Sequence, residues 1–389
     1  MHDLKVDRLS GSLDGVRVSV IVSGSIGAME SPRLIRALRR LGAEVEPFLT
    51  RGGSQFITST SISWAAAREC TMEFSGTSTH LATGDFCVVA PASANFIHKI
   101  ATGQTDTPAA ALLASYLGQK KPVILVPSMH DSLFHSPFVQ ENWRKISGVL
   151  TRLEPRKEEG KQKFPEPALL ADEISHEFNR QARVDKSLLV SMGTTRGYID
   201  DVRYLSNYSS GALGTAILHE AYRRGVKTRA VVGPCKVEPK VYTELARIET
   251  NEQLEVACQN AISAGCDGAV LAASVLDFVP ENRLSGKVSS SGELEVSFSR
   301  TQKIISKISL ATGKKVGFKL EADLPMAKAH AIAKDYINKY DLSMIVINAL
   351  KDVNQKDHRA LIFTREQGFL GYREGKQPLA EHIVDHIIH

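Results

Sequence analysis

Short apolar runs alternate with amphipathic segments along the whole chain. In the first half, each apolar run is short enough for a buried strand, and each ends in a loop of small or polar residues. A strand, a helix and a second strand at this spacing form a βαβ unit, which predicts a parallel sheet with right-handed crossovers. The predicted elements are strands at 16–22, 44–49, 86–90 and 122–126, and helices ending at Arg40, beginning at Phe96 and spanning 168–181.

The second half repeats this pattern after a charged stretch and a linker. Residues 151–164 lack long apolar runs and are expected to form a mobile flap or an interdomain loop, and 183–187 form a polar linker. Residues 289–300 alternate polar and apolar positions, which predicts one arm of a hairpin. The other predicted elements are strands at 188–192, 228–232, 268–273, 314–318, 344–348 and 360–364, and helices at 211–224, 252–265 and 381–388. We therefore predict an α/β protein with two parallel-sheet, Rossmann-like domains, at 1–182 and 183–389.

Residues 201–215, DVRYLSNYSSGALGT, carry the strongest local signal. They follow an apolar run and lead into a helical pattern. A strand, a loop rich in Ser, Gly and Asn, and a helix suit a phosphate, because backbone N–H groups and the positive end of the helix face the loop. The stretch is neither G-x-G-x-x-G nor G-x-x-x-x-G-K-[ST]. A plain turn between strand and helix, capped by Ser209 or Ser210, explains the same residues, so the pattern alone leaves both interpretations open.

Composition narrows the class of protein. The 389 residues are 43% hydrophobic and 23% charged, which is typical of a globular enzyme, and the net charge of +5 does not call for a nucleic-acid partner. Five cysteines without C-x-x-C spacing argue against a disulfide framework or a zinc site and fit a reducing cytoplasm. No signal peptide and no apolar run near the ~18 residues of a membrane span is evident. We expect a cytoplasmic protein without a membrane partner.

Five motifs of the second half resemble those of the phosphopantothenate–cysteine ligases. In chain order they are LSNYSSGALG at 205–214, AASVLDF at 272–278, GKV at 286–288, VGFKLE at 316–321 and VINA at 346–349. The resemblance implies that this domain couples phosphopantothenate with cysteine in a CTP-dependent reaction, through an acyl-CMP intermediate. Magnesium would accompany CTP through the phosphates rather than through a protein cage.

The same resemblance implies roles for single residues. Asn207 would hold an oxyanion or orient the acyl group, and Lys287 would neutralise the triphosphate. Outside this context Asn207 is an ordinary turn residue and Lys287 a solvated lysine. The implied contacts of the substrate are Ser209, Ser210 and Gly211, and those of CTP are Ala272, Ala273, Ser274, Asp277, Lys287, Lys303, Ile304, Phe318 and Lys334.

The first half resembles the flavin-binding cysteine decarboxylases. The segments SGSIGA at 23–28, HL at 80–81 and PASANFIHK at 91–99 match their phosphate loop, histidine and PATANxIxK motifs. The resemblance implies FMN as cofactor and decarboxylation of phosphopantothenoylcysteine, with His80 as acid/base, although a lone histidine is more often a surface or packed residue. The implied FMN contacts are Ser23, Gly24, Ser25, Ile26, Thr50, Ser93 and Asn95, and the implied substrate contacts are His130, Lys161 and Lys163. Together, the halves resemble the bifunctional decarboxylase/ligase family of coenzyme A synthesis.

Two features depart from the bacterial pattern of that family. PSMH at 127–130 replaces PxMN, so that His130 stands where an asparagine holds the substrate carboxylate, and EEGKQK at 158–163 lacks the flap cysteine that donates a proton. Both features resemble the archaeal-type branch. They leave open a working ligase beside a purely structural flavin domain, or a flavin-binding regulatory protein. The motif residues Asn207 and Lys287 speak against the regulator, because a binding module has no use for acyl-transfer groups.

The resemblance also implies a homo-oligomer. Flavin domains of this kind form trimers with FMN between subunits, and the ligase domains form dimers, so that closed assemblies would follow.

Overall fold

The computed structural model describes residues 4–158, 161–182, 186–353 and 358–389. The chain divides into two compact units, Met1–Gln181 and Ala182–His389, which we call the N-unit and the C-unit. Among the residues that the structure describes, no helix is both long enough and apolar enough to cross a membrane.

The N-unit alternates strands and helices, and a short hairpin precedes its last helix. Its strands are β1 (Arg17–Val22), β2 (Glu44–Leu49), β3 (Phe86–Ala92), β4 (Val123–Pro127), β5 (Thr151–Arg152), β6 (Arg156–Glu158) and β7 (Lys161–Lys163). Its helices are α1 (Ser31–Arg40), α2 (Ser59–Ala66), α3 (Ala94–Ala101), α4 (Pro108–Gly118), α5 (Asp131–Phe134), α6 (Pro137–Ile146) and α7 (Pro167–Asn179).

The core of the N-unit is a five-stranded sheet in the order β2-β1-β3-β4-β5, and all four pairings are parallel. Successive residues of β1 face opposite sides. Val20 packs in one buried cluster with residues of α1, α2 and α7, and Ile21 packs in another with residues of α3, α4 and α6. Because both faces are covered, the central strands β3 and β4 are buried along their whole length. The prediction of a parallel sheet is confirmed for this unit.

The C-unit has more strands and two small additional sheets. Its strands are β8 (Ser187–Met192), β9 (Arg196–Tyr198), β10 (Tyr204–Ser206), β11 (Lys227–Val232), β12 (Glu244–Arg247), β13 (Gly268–Leu271), β14 (Phe278–Pro280), β15 (Phe298–Arg300), β16 (Lys314–Glu321), β17 (Met344–Ala349), β18 (Arg359–Thr364) and β19 (Gly368–Glu374). Its helices are α8 (Ala212–Arg223), α9 (Asn251–Ser263), α10 (Ile304–Lys307), α11 (Met326–Tyr340) and α12 (Lys376–Ile388).

The main sheet of the C-unit is mixed, so the prediction of a parallel sheet is wrong at one edge. Its order is β12-β11-β8-β13-β16-β17-β18-β19. The strands from β12 to β17 pair in parallel, whereas β17 pairs with β18, and β18 with β19, in antiparallel fashion. The cause is the length of the connections: β18 and β19 are joined by only residues 365–367, and a parallel crossover needs a dozen residues or more.

The predicted hairpin arm at 289–300 is also mostly wrong. Only Phe298–Arg300 forms a strand, which pairs with β14, and residues 289–297 lie outside regular structure. Ser, Gly and Glu dominate that segment, and its alternation has no sheet face to pack against. By contrast, α11 was not predicted at all, although Ala329, Ala333 and Ile337 recur at helical spacing and are buried.

Candidate active sites

The first candidate site lies where the strand order of the N-unit reverses. β1 pairs with β2 on one side and with β3 on the other, and loops that leave such strands at their carboxyl ends enclose a ligand crevice. Ser23 bridges the loops after β1 and β3. Its hydroxyl donates to the carbonyl of Pro91 at 2.8 Å and accepts the N–H of Ser93 at 2.8 Å. The two loops are therefore fixed to each other by a buried side chain.

A third loop, after β2, closes against the same place. The hydroxyl of Thr50 accepts the N–H of Gly53 at 3.1 Å and donates to the carbonyl of Val22 at 3.3 Å. Gly24 lies directly on this loop, since an added Cβ would stand 2.7 Å from the carbonyl carbon of Gly52. Any side chain at position 24 would push the loops apart. The result is a cradle made of backbone and small side chains, which another group can approach closely.

One hydroxyl of this cradle lacks a partner. Ser25 Oγ is buried and forms no hydrogen bond with a described residue. A buried hydroxyl without a partner is costly, so this position suits a ligand oxygen such as that of a phosphate. The cradle therefore fits the phosphate end of a flavin nucleotide. Ser93 also caps α3 by accepting the N–H of Phe96 at 3.3 Å, while Asn95 and Ile26 are exposed beside the cradle.

His80 and His130 differ in how their rings are engaged. The Nδ1 atom of His80 is buried and has no partner in the described part of the chain, and its ring stands edge-on to Phe74 with centroids 5.5 Å apart. His130 is exposed and caps α5, because its Nδ1 accepts the N–H of Ser132 at 3.3 Å.

The charged stretch at 151–164 contains a hairpin of β6 and β7. Lys163 ends this hairpin opposite Arg156 and is half-buried. Lys161 belongs to β7 by its backbone, and its side chain, like residues 159–160, lies outside the described part of the chain.

The second candidate site occupies the corresponding point of the C-unit. β8 pairs with β11 on one side and with β13 on the other. The loops after β8 and β13 are joined by backbone hydrogen bonds: the N–H of Ser274 donates to the carbonyl of Gly193 at 2.8 Å, and the N–H of Thr195 donates to the carbonyl of Ser274 at 3.3 Å. The buried hydroxyl of Thr195 also accepts the N–H of Leu276 at 3.1 Å.

Asn207 connects two of the sequence motifs. Its Nδ2 atom donates to the carbonyl of Val275 at 2.9 Å, so that the 205–214 motif and the 272–278 motif meet although they are far apart in sequence. The preceding Ser206 donates its hydroxyl to the carbonyl of Thr195 at 2.9 Å. Asn207 is exposed, and its amide is held in place by this one contact rather than by burial.

The loop before α8 is held by local hydrogen bonds, and the N-cap residue of the helix is Gly211. The hydroxyls of Ser209 and Ser210 accept the N–H groups of Gly211 and Ala212, each at 3.4 Å. Gly211 has φ +75°, and a Cβ there would meet Cys235 Cβ at 2.7 Å, so the position requires glycine. The serines therefore form local turn contacts, but neither is the N-cap residue of α8, and the helix terminus lies at the edge of the sheet where the other motifs meet.

The residues implied for CTP lie in several elements. Asp277 and Lys303 are brought together in an ion pair with Nζ and Oδ1 2.5 Å apart. Ile304 is buried at the start of α10, and Phe318 is half-buried in β16 against the core. Lys334 is exposed on α11 and forms no ion pair with any residue that the structure describes. Ala272, Ala273 and Ser274 are half-buried beside the loop after β8.

Sequence reasoning missed two aspartates next to the strongest motif. Asp200 is fully buried, and its Oδ1 accepts the N–H groups of Val202 at 2.7 Å and Arg203 at 2.6 Å. Burial raises the pKa of its carboxyl, but hydrogen bonds from the backbone of Arg203, Val202 and Val288 and from the Arg203 guanidinium lower it to about 2. Asp201 is exposed and pairs with Arg283 at 2.8 Å. Two adjacent acidic residues, the second of which opens the 201–215 stretch, were the available signal.

No group of three or more His, Cys, Asp or Glu side chains is arranged to hold a metal ion within the described ranges.

Comparison with known proteins finds a family model for each half. Residues 7–179 match the flavoprotein family, and residues 184–389 match the family of the DNA/pantothenate metabolism flavoprotein C-terminal domain. The second match alone covers more than half of the chain.

Full-length relatives span both halves. The coenzyme A biosynthesis bifunctional protein CoaBC of Thermococcus kodakarensis is 30% identical, over 97% of this chain and 96% of its own length. The protein of the same name from Methanocaldococcus jannaschii is 29% identical, over 90% of this chain and 88% of its own length. A cysteine/cysteine sulfinic acid decarboxylase from an unknown prokaryotic organism is 32% identical, over 69% of this chain and 77% of its own length.

Proposed function

This chain belongs to the family of the coenzyme A biosynthesis bifunctional proteins CoaBC, and we propose from that premise which residues carry each of its two activities. It is a bifunctional enzyme, a phosphopantothenoylcysteine synthetase and an FMN-dependent phosphopantothenoylcysteine decarboxylase. The observation that carries the assignment of the synthetase site is the hydrogen bond from Asn207 to Val275, since it joins two motifs at the edge of the sheet where ligands bind.

In the C-unit, we assign the ligase reaction to the loops after β8 and β13. CTP activates the carboxylate of phosphopantothenate as an acyl-CMP anhydride, and the amine of cysteine then displaces CMP. Both steps develop negative charge on phosphoryl or acyl oxygens, so fixed donors and cations lower the barrier. Asn207 orients the acyl group or holds its oxyanion, and Lys287 neutralises the triphosphate.

The nucleotide is placed by residues around the same loops. Asp277 and Lys303 bind the cytidine nucleotide together with Phe318 and Lys334. Their exposure supports this role, because the Asp277 side chain is 56% exposed and that of Lys303 38% exposed despite their ion pair. Mg²⁺ arrives with the phosphates of CTP and needs no protein cage.

In the N-unit, the cradle of Ser23, Gly24, Ser25, Thr50 and Ser93 holds FMN. When bound, FMN supplies the redox chemistry that the decarboxylation needs. Ser25 donates its unpaired hydroxyl to the phosphate, and Gly24 lets the backbone approach it. Asn95, in the first turn of α3, and Ile26, in the segment after β1, contact the cofactor from either side.

Two histidines and two lysines are assigned to the substrate of the decarboxylase. His80 moves a proton at the reacting carbon through its unpartnered Nδ1. His130 contacts the substrate carboxylate at the position where the bacterial pattern has an asparagine. Lys161 and Lys163 clamp the phosphate, and we assign them no proton transfer.

We propose that the enzyme is a homo-oligomer, with trimers of N-units and dimers of C-units. An interface beside the FMN cradle would remove apolar surface from water, since Ile26 is 69% exposed and Met29 57% exposed there. The native mass of the purified protein tests this assignment.

Product analysis tests the proposed function. Purified protein is supplied with phosphopantothenate, cysteine and CTP, and compared with Asn207→Ala and His80→Ala. The wild type should release CMP and CO₂ and form phosphopantetheine, and His80→Ala should stop at phosphopantothenoylcysteine. Asn207→Ala should instead accumulate the acyl cytidylate. An Asn207→Ala variant that forms product at the wild-type rate would contradict the assigned role.

A further inference from the structure

The backbone on either side of Lys287 is held by two adjacent aspartates. The N–H of Gly286 donates to Asp201 Oδ2 at 2.8 Å, and the N–H of Val288 donates to Asp200 Oδ2 at 3.2 Å. Lys287 lies between these two anchored residues and is itself exposed. Its side chain is therefore free to reach a ligand while its backbone is fixed from both sides.

The aspartates are in turn fixed by the turn in which they lie. Asp200 is buried and accepts two backbone N–H groups within this turn, as described above. The guanidinium of Arg203 donates to Asp200 Oδ2 at 2.6 Å and also to the carbonyl of Val288 at 3.1 Å. Arg203 thus binds both Asp200 and the loop that contains Lys287, so that Val288 is held at its N–H and at its carbonyl.

Further contacts align the whole loop with this turn. The N–H of Leu284 donates to the carbonyl of Ile199 at 2.8 Å, and the N–H of Asp201 donates to the carbonyl of Gly286 at 3.1 Å. The guanidinium of Arg283 lies over the ring of Tyr198, 4.8 Å from its centroid. The segment 284–288 therefore follows the segment 199–203 at four or more points, although 85 residues separate Asp201 from Gly286.

The same turn leads directly to the other acyl-transfer residue. Residues 199–203 continue into β10, and Asn207 follows immediately after that strand. One short turn thus sets the position of the Asn207 loop by covalent continuity and the position of the Lys287 loop by hydrogen bonds.

We propose that Asp200 and Asp201 are positioning residues of the ligase reaction, which act through Lys287 by locking its loop to the turn before Asn207. The proposal rests on the role assigned above to Lys287. Positioning is worth much in such a site, because a displacement of about 1 Å can cost about a hundredfold in rate. Asp200 forms an ion pair with Arg203, and Asp201 forms one with Arg283. The two aspartates therefore add no uncompensated negative charge that would repel a triphosphate.

A double-mutant cycle on the full-length protein tests this. The variants are Asp201→Ala, Lys287→Ala and their combination, with CMP release measured at saturating CTP and in single turnovers. Asp201 is chosen because it is exposed and its loss should leave the fold intact. Lys287→Ala should slow the ligase about a hundredfold or more, and Asp201→Ala about tenfold. In the Lys287→Ala background, Asp201→Ala should have almost no further effect.

Two variants separate positioning from a general structural role. Asp201→Asn keeps an acceptor for the N–H of Gly286 and should retain most of the rate. Asp267→Asn is the matched control, because Asp267 also accepts a backbone N–H, that of Ser187 at 2.8 Å, but Ser187 is the first residue of β8 and lies at the opposite edge of the sheet. It should leave the ligase rate unchanged, and decarboxylation of supplied phosphopantothenoylcysteine should be normal in every variant.

The possible outcomes distinguish the role of Lys287 from the positioning role of Asp201. A wild-type rate for Lys287→Ala would overturn the role of that lysine and this proposal with it. A slow Lys287→Ala beside a fully active Asp201→Ala would overturn the positioning role alone. Equal losses from Asp201→Ala in both backgrounds would also overturn it, since the aspartate would then act independently of Lys287.

Discussion

The two units place their sites at the same topological point but build them from different materials. In each, the site lies at the carboxyl ends of two adjacent parallel strands from which the strand order continues in opposite directions, β1 and β3 in one unit and β8 and β13 in the other. In the N-unit, three loops touch through backbone and small side chains, as at Gly24 and Ser23. In the C-unit, longer polar side chains reach between loops, as from Asn207 to Val275 and from Asp201 to Gly286.

Because of this difference, the two sites should tolerate different kinds of substitution. A cradle of backbone and hydroxyls is sensitive to added volume, because its loops have no room to separate. A site of exposed polar contacts is sensitive to the loss of single charges or hydrogen bonds, which contribute little to stability where they are solvated. Volume changes should therefore damage the N-unit site and charge deletions the C-unit site.

The largest expected effect is that of Gly24→Val. Its Cβ would stand 2.7 Å from the carbonyl carbon of Gly52, so the loops must part and FMN should be lost almost completely. We expect a protein that purifies without flavin absorbance and lacks decarboxylase activity, yet releases CMP at the wild-type rate. Gly118→Ala is the control, since a Cβ there meets nothing within 4 Å. Flavin retained by Gly24→Val would contradict the cradle.

A charge deletion in the C-unit should act on nucleotide use and not on stability. Lys303→Met removes one partner of the Asp277 ion pair, and we expect kcat/KM for CTP to fall about tenfold to a hundredfold, as for a charged hydrogen bond. The free energy of unfolding should change by less than about 1 kcal/mol, because both side chains are partly exposed. Lys307→Met is the matched control, since Lys307, the last residue of α10, forms a similar ion pair with Glu255 of α9. Equal kinetic losses in both variants would refute a specific role for Lys303.

Substitutions of Ser25 and Ser23 should separate FMN binding from the stability of the N-unit. Ser25→Ala removes a hydroxyl without a described partner, so we expect FMN to bind up to about tenfold more weakly with no loss of stability in the FMN-free protein. Ser23→Ala breaks the contacts to Pro91 and Ser93 and should destabilise this unit by about 1–3 kcal/mol. Titration with FMN and denaturant unfolding measure the two effects. A stability loss in Ser25→Ala as large as that in Ser23→Ala would show that its hydroxyl already has a structural partner.

The smallest expected effect is a pH dependence of the free energy of unfolding, which the contacts of Asp200 should show and those of Ser23 should not. The pKa of Asp200 is lowered in the fold to about 2, against about 4 in an unfolded chain. Its ionised form therefore stabilises the fold above pH about 4, and this stabilisation is lost as the pH falls towards about 2. The unfolding midpoints of the wild type and Asp200→Asn should converge over that window. The difference between wild type and Ser23→Ala should stay constant, because its contacts carry no charge, and a constant difference for Asp200→Asn would contradict the ionised clamp.

Much of the fold could be predicted, because short apolar runs and amphipathic segments indicate the individual strands and helices. The strand predicted at 44–49 is β2 without change, and the helix predicted at 211–224 is α8 within one residue at each end. The pairing of β17 with β18 could not be predicted, because a strand's apolar pattern is the same whether its neighbour is parallel or antiparallel. The motif residues were found by type and spacing, but their contacts were not.

The two α/β units, the apolar strands and the family could be read from the order of residues, because burial and motif chemistry depend on residues close together in the chain. The tertiary structure alone decided which loops meet. Ser93 reaches Ser23 across 70 residues, and Gly286 reaches Asp201 across 85. Such hydrogen bonds depend on the order of strands in a sheet, and that order brings distant loops to the same edge. For this reason two aspartates with no motif of their own hold the loop of the lysine.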